Sequence, residues 1–419
     1  MFREPHRTHR RRSALPFSGV AKPRSTRTVC RIEQSELSPA DRICLADRRL
    51  ADQIVLEAIN IEARSGLQHV CTIHVTSIAG DDGLPGALPS DVRQWPKVLT
   101  RYRDPDTARS VVEIALTAVP LLALWVGMWA ALQVSPWLCL PLSVPAAAFL
   151  VRLFMIQHDC SHGSFFRRRA TNDWVGRVIG VVTLTPHDLW RRTHAIHHAG
   201  MGNLDERGIG DVTTMTVGEY LSRGWWRRLV YRVYRHPAML FGVGPAYLFL
   251  LQHRLPIGLM RKGWQPWIST MATNLAIAMI AAGVVLFLGS EAFLLIPLPT
   301  AMLAASAGVW LFYVQHQFEN TYWEQDGAWS HAESSLRGSS YYVLPGVLRW
   351  LTANIGMHHV HHLNSRIPFY RLPQVLRHHP ELAEAGRLTL VESFRCVRLT
   401  LWDERRKRLI SFREMRQNA

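Results

Sequence analysis

The stretch GMHHVHHLN carries His358, His359, His361 and His362 within five positions. Imidazole is costly to bury without a partner, so this density implies a use. Two other clusters share the feature. QHDCSH places His158 and His162 four residues apart, and RRTHAIHHAG places His194, His197 and His198 at i, i+3 and i+4, the spacing repeated by His358, His361 and His362. On an α-helix these positions share one face. Each cluster therefore turns two or three imidazoles the same way, as metal binding needs. The eight imidazoles of these clusters oversupply a single tetrahedral zinc, whereas two first-row ions with four or more nitrogens apiece use them better. Imidazole serves iron, copper and zinc alike, so ligand type leaves the metal open. The six cysteines are scattered without a C-x-x-C pair, which argues against a zinc ribbon, an iron–sulfur cluster or a disulfide framework.

The elements that must position these histidines are long apolar runs. Residues 111–132, 136–156, 268–288 and 292–314 each supply about 20 predominantly apolar residues, the length that spans a bilayer core. The connections QVSP and GSE are too short for anything but tight turns, so the reading is an all-α integral membrane protein with four spans in two hairpins. The 48 basic residues outnumber the 32 acidic ones, giving a net charge of +16, and none of them lies in either turn. The positive-inside rule then puts both termini and the central loop in the cytoplasm, of a bacterial inner membrane, with a helical cap carrying the histidines on that side. The basic excess is explained by topology, without nucleic acid. Two shorter runs, 174–186 and 238–251, are too short to span and read as interfacial or half-buried helices, the second also open to a re-entrant reading. Residues 1–88 are Arg-rich at the start and lack periodicity, and read as a disordered basic extension, with one isolated helix at 50–64; a start assigned too far upstream is the alternative. Residues 413–419 read as a tail.

With HDCSH, HAIHH and HHVHH in this order around four spans, the chain resembles the integral-membrane fatty acid desaturases, on the side of the Δ12 (omega-6) acyl desaturases. The likeness extends through HGSFFRRRATNDWVGRVIGVVTLTPHDLWRRTHAIHH, GNLDERGIGDVTTMTVGEY and RIPFYRLPQVL, and delimits a domain over 89–412. Ser161 stands where that branch usually has glycine. The resemblance implies two irons bound almost wholly by histidine, with O2 as co-substrate and a cis double bond in an acyl chain as product. It implies His158, His162, His194, His197, His198, His358, His361 and His362 as ligands, and His316, in FYVQHQFEN near the end of the last span, as a further one. His359 falls on the variable position of its box and is expected to support the ligands or face solvent. Asp159, Asp188, Asp205, Asp211 and Glu319 are candidates to hold the far side of a ligand ring, and Trp190 and Trp350 read as interface anchors.

An unactivated methylene is beyond any protein side chain, so metal–oxygen chemistry on an acyl-lipid or fatty acyl thioester is the implied reaction. Two electrons per turnover must come from a separate donor, a ferredoxin or cytochrome b5. The basic stretch 222–236, SRGWWRRLVYRVYRH, suits either an acidic donor or inner-leaflet phospholipid. A di-iron hydroxylase or ketolase of lipids, carotenoids or sterols is the nearest alternative. A metal transporter is disfavoured, because the spans carry essentially no ionisable residue at mid-depth.

Overall fold

Residues 91–417 are described by a computed structural model of the chain. The readings made for residues 1–88, including the helix at 50–64, lie outside that range. Helix α1 (Thr107–Leu132) is capped by the Asp106 side chain, which accepts from the Arg109 amide. α2 (Cys139–His162) follows and packs along α1. α3 (Arg169–Val182) and α4 (His187–Gly200) come next, then α5 (Trp225–Tyr234) and α6 (Gly244–Leu250). α7 (Trp264–Leu288) and α8 (Pro297–His316) are the second long pair. The six-residue α9 (His358–Leu363) and α10 (Phe412–Gln417) complete the helices used below.

Four helical segments, Thr107–Leu132, Pro136–His162, Trp264–Leu288 and Ser290–His316, are long and apolar enough to cross a membrane. They overlap the four predicted runs and exceed them by up to six residues at an end. A 27-residue segment at about 1.5 Å per residue reaches about 40 Å, beyond a hydrocarbon core of about 30 Å. The surplus carries function: α2 continues for six residues past the apolar run and ends only at Gly163, whose φ of 67° is the left-handed conformation glycine favours. The outward faces are apolar, with Leu275, Met279, Leu286 and Phe287 of α7 60%, 61%, 79% and 86% exposed. A face of this kind needs a non-aqueous cover.

The fold is mostly helical, but not purely so. Among the described residues, β1 (Met215–Thr216), β4 (Leu401–Asp403) and β5 (Arg408–Ile410) form a small sheet, and β2 (Tyr341–Val343) pairs in parallel with β3 (Arg387–Thr389). Strands of two or three residues leave no alternation to read, which is why the sequence suggested helices alone. The 174–186 run forms most of α3, half-buried as expected, with Gly176 and Ile179 inward and Trp174 and Val178 outward. The 238–251 run forms a π-turn, Met239–Val243, leading into α6, which packs on α8. Of the stretch read as a tail, residues 413–417 lie in α10, where Met415 is buried with Tyr220, Tyr231, Leu401 and Ile410.

Candidate metal centre

Four stretches of chain deliver the nine sequence-predicted histidines to one place. His158 and His162 occupy the polar end of α2, and His194, His197 and His198 one face of α4. His316 is the last residue of α8, and His358, His361 and His362 lie on α9. The start of α9 is fixed locally. Ala353 and Asn354 adopt positive φ, 49° and 56°, turning the chain back so that the Tyr342 amide donates to the Gly356 carbonyl at 2.7 Å. A Cβ at Gly356 would lie 2.4 Å from the Tyr342 carbonyl oxygen, so only glycine fits.

The histidines fall into two adjoining groups. Ring nitrogens of His158, His162, His194, His198 and His361 all lie within 4.8 Å of one another, and so do those of His197, His316 and His362. His358 belongs beside the second group, its Nε2 3.0 Å from that of His316 and 3.1 Å from that of His362. His361 and His198, with Nε2 atoms 3.2 Å apart, come from different boxes. Burial and neighbouring imidazoles hold His194, His198, His358, His361 and His362 well below the ordinary imidazole pKa, so these rings are neutral. Neutral imidazoles present nitrogen lone pairs, the form in which histidine binds a metal. Buried Nε2 of His158 and of His162 has no protein partner, although buried polar atoms are normally satisfied. Two clusters of convergent nitrogens with unpartnered atoms therefore fit bound cations.

Two of the five candidate carboxylates stand behind these rings. The Asp211 Oδ1 is 2.5 Å from His197 Nδ1, and the Asp159 Oδ1 is 3.3 Å from His158 Nδ1. Asp159 also accepts the Phe369 amide at 2.7 Å. The other three are engaged elsewhere: Asp188 pairs with Arg177 and Arg191, Asp205 accepts the Asp326 amide, and Glu319 pairs with Arg408. Sequence proximity could not separate them, because partners from distant segments decided. His359 points away from both groups. It is fully buried against Tyr341, with ring centroids 5.6 Å apart, and burial pushes its imidazole down to about 4.

Trp190 and Trp350 are not simple interface anchors. Trp190 stacks on His194 with centroids 4.3 Å apart. Trp350 covers the Arg152 guanidinium, whose carbon lies 4.0 Å from its ring centroid, and its carbonyl accepts from the same side chain. Arg152 pairs with Glu113 of α1, so the charge buried between α1 and α2 is neutralised. In the 222–236 stretch Arg235 is buried, binding Tyr313, Gln317 and the carbonyls of Thr213 and Leu399.

A cavity of about 870 Å³ opens onto the histidines, with His158, His194 and His358 in its wall. Leu150, Phe154, Leu240, Val243, Val309 and Phe312 make the remainder largely apolar. The volume lies in the range of roughly 300–1,000 Å³ typical of small-molecule sites. The π-turn and α6 form one wall, a role that sequence reasoning missed. The available signal was an apolar run too short to span, lying shortly before the third span.

Comparison with known proteins places the chain in a family. The family model for fatty acid desaturase matches residues 135–394. A fatty acid desaturase of Bacillus subtilis (strain 168) is 42% identical over 325 residues, covering 77% of this chain and 92% of that one. An sn-1 oleoyl-lipid 12-desaturase of Anabaena variabilis is 27% identical, covering 62% and 73%. An sn-1 acyl-lipid omega-3 desaturase (ferredoxin) of Synechocystis sp. is 29% identical, covering 52% and 61%. A membrane-type helical fold with clustered histidines beside an apolar cavity is thus the setting of an oxidoreductase. The chain belongs to the fatty acid desaturase family.

Proposed function

We propose that this protein is an O2-dependent acyl-lipid desaturase that places a cis double bond in a fatty acyl chain by di-iron chemistry. The single observation that carries the reading is the meeting of nine buried or half-buried histidines, in two groups, with one apolar cavity. His158, His162, His194, His198 and His361 would hold one iron, and His197, His316, His358 and His362 the other. The irons, when bound, supply the reduction of O2 and the removal of two hydrogens from adjacent methylenes. The balance is –CH2–CH2– + O2 + 2e⁻ + 2H⁺ → –CH=CH– + 2H2O.

The chain's own residues perform the rest. Asp211 and Asp159 fix the tautomers and orientations of His197 and His158, turning each Nε2 toward the centre. Leu150, Phe154, Val309 and Phe312 hold an apolar chain beside His158, His194 and His358 and keep water out. A Δ12 (omega-6) position is the regiochemistry we assign, supported by the 12-desaturases among the relatives. Residues 89–412 form the functional domain, its spans paired as two hairpins in a bacterial inner membrane, with both termini and the histidines cytoplasmic. A separate ferredoxin or cytochrome b5 supplies the two electrons. The test is expression in a host of known lipid composition, followed by double-bond mapping of its fatty acids and iron analysis of purified protein. New Δ12 double bonds and about two irons per chain are expected. Oxygenated products, or protein without iron, would overturn the reading.

A further inference from the structure

Helix α5 turns its apolar side away from the protein. Tyr231 is its buried residue, packed with Tyr220, Leu401 and Ile410. Trp225, Trp226, Leu229, Val230 and Val233 are 43–76% exposed. At 3.6 residues per turn these five occupy an arc of about 140° opposite Tyr231. So wide an apolar arc on a ten-residue helix needs a cover.

Arginines flank the arc on both sides, Arg227 at one edge and Arg228 and Arg232 at the other. No carboxylate matches their charges. Arg228 donates to the carbonyls of Leu221 and Arg223, at 2.6 and 2.7 Å, and Arg232 to the Tyr220 hydroxyl at 2.7 Å. The exposed side chains of Arg223 and Arg227 have no hydrogen-bond or ion-pair partner among the described residues. Glu219, just before them, is held by Arg207 at 2.5 Å. From residue 220 to residue 290 the sequence holds eight basic residues and no Asp or Glu. The surface is therefore basic, and its complement is an anion.

The position of α5 says which anion. Arg235, directly after the helix, donates to the Tyr313 hydroxyl at 3.1 Å and to the Gln317 side chain at 3.0 Å, at the end of α8 that carries His316. α5 thus lies level with the histidine-side ends of the spans, where tryptophan and arginine meet lipid headgroups. Trp264, the first residue of α7, is likewise 81% exposed. An acidic protein would leave the tryptophan stripe uncovered or would have to supply an apolar face of its own. A leaflet supplies both halves: acyl chains for the stripe and phosphates for the flanking arginines, whose stems lie along the apolar face. Tyr234, the last residue of α5, lines the large cavity, as do the exposed Val243 and Tyr247 just beyond it. Lipid gathered by α5 therefore borders the open flank of that cavity.

We propose that α5 is an in-plane anchor that binds anionic phospholipid in the leaflet on the histidine side, with Trp225 and Trp226 at the acyl boundary and Arg223 and Arg227 on headgroup phosphates. The inference rests on the four-span membrane part of the desaturase reading and not on its irons.

The test uses the full-length protein in lipid nanodiscs and reads tryptophan fluorescence. The signal of Trp225 and Trp226 is the difference between the wild type and Trp225→Phe/Trp226→Phe. Lipid brominated near the headgroup should quench that difference, and acrylamide in the water should not. With brominated lipid as a minor component, phosphatidylglycerol should quench the pair at about fivefold lower content than phosphatidylcholine, since each arginine near the surface favours anionic lipid by about that factor or more. The preference should shrink in Arg223→Gln/Arg227→Gln and persist in Arg93→Gln/Lys97→Gln, two exposed basic residues away from α5. Quenching by acrylamide alone would show a wet face and overturn the proposal. Protection from both quenchers would overturn it in favour of a protein cover, a second copy of the chain if the particle mass doubles. Equal quenching by the two brominated lipids, or a preference that the α5 arginines do not carry, would remove the anionic headgroup. Brominated lipid that quenches no tryptophan at all, the exposed Trp129 of α1 included, would sink the membrane reading itself, so the two failures are distinguishable.

Discussion

His358 and His359 are adjacent on a six-residue helix, yet the structure gives them opposite surroundings. His358 Nε2 meets two other imidazoles, whereas His359 faces Tyr341 and no histidine cluster. Replacing His358 with alanine should lower iron content and abolish double-bond formation. His359→Ala should retain iron and at least about a tenth of the activity, since residues behind the ligands typically affect metal sites by 10–100-fold. Iron analysis and product chromatography on protein-normalised samples check both; an iron-free His359 variant with an intact His358 variant would place the box one residue out of register. Asp211 makes the sharper test of a supporting residue. Asp211→Asn keeps the shape but loses the charge against His197 Nδ1, and a 10–100-fold loss of turnover is expected with membrane insertion intact; turnover equal to wild type would remove Asp211 from the centre. At this scale the sequence was highly legible, because i, i+3, i+4 spacing already fixes which rings share a face. What it could not show was which carboxylate stands behind which ring. Asp188 and Asp211 look equivalent in sequence, and only the arginines that reach Asp188 from α3 and α4 separate them.

The long helices were legible because an apolar run of about 20 residues has few alternatives. The short elements were not. α9 spans six residues, less than two turns, so the i, i+3, i+4 histidines mark its face but set neither its ends nor its direction. Its direction comes from the left-handed turn at Ala353 and Asn354 and from the close pass of Gly356 against β2. The cavity wall formed by 239–250 was half legible for a related reason: its composition is that of a span, but its length is that of a lining. Gly356 permits an element-scale prediction with a control in the same segment. A methyl group at 356 would meet the Tyr342 carbonyl at 2.4 Å, whereas one at Gly346 would meet nothing within 4 Å. Gly356→Ala should therefore displace α9, lowering both iron content and desaturation, while Gly346→Ala leaves both near wild type. Equal behaviour of the two variants would show that α9 is not positioned by this contact.

Viewed whole, the molecule combines an apolar exterior along its spans with a basic, histidine-bearing remainder. Both features follow from one constraint: every group that contributes a ring to the centre must stand on the same side of the bilayer. His158 and His316 end two different spans, α4 lies between the spans in sequence, and α9 follows them all. An even number of crossings between any two of these segments is the only arrangement that lets their nitrogens approach as they do. Neither α3 nor the segment of α6 disturbs that parity, since the 14 residues of α3 and the Met239–Val243 turn continued by the 7 of α6 each reach at most about 21 Å at about 1.5 Å per residue, short of a core of about 30 Å. In the proposed topology, the absence of lysine and arginine from QVSP and GSE puts those turns outside and the histidines in the cytoplasm. Epitope tags at residue 1, at the exposed Arg261–Lys262 site and at residue 419 should accordingly all be protected in right-side-out vesicles and digested in inverted ones, and a tag inserted in QVSP should behave oppositely. Opposite exposure of the Arg261 and residue 419 tags would put the α4 and α9 histidines on different faces, and no shared centre could then form. All four tags inverted together would leave the centre intact but move it outside, away from any cytoplasmic electron carrier.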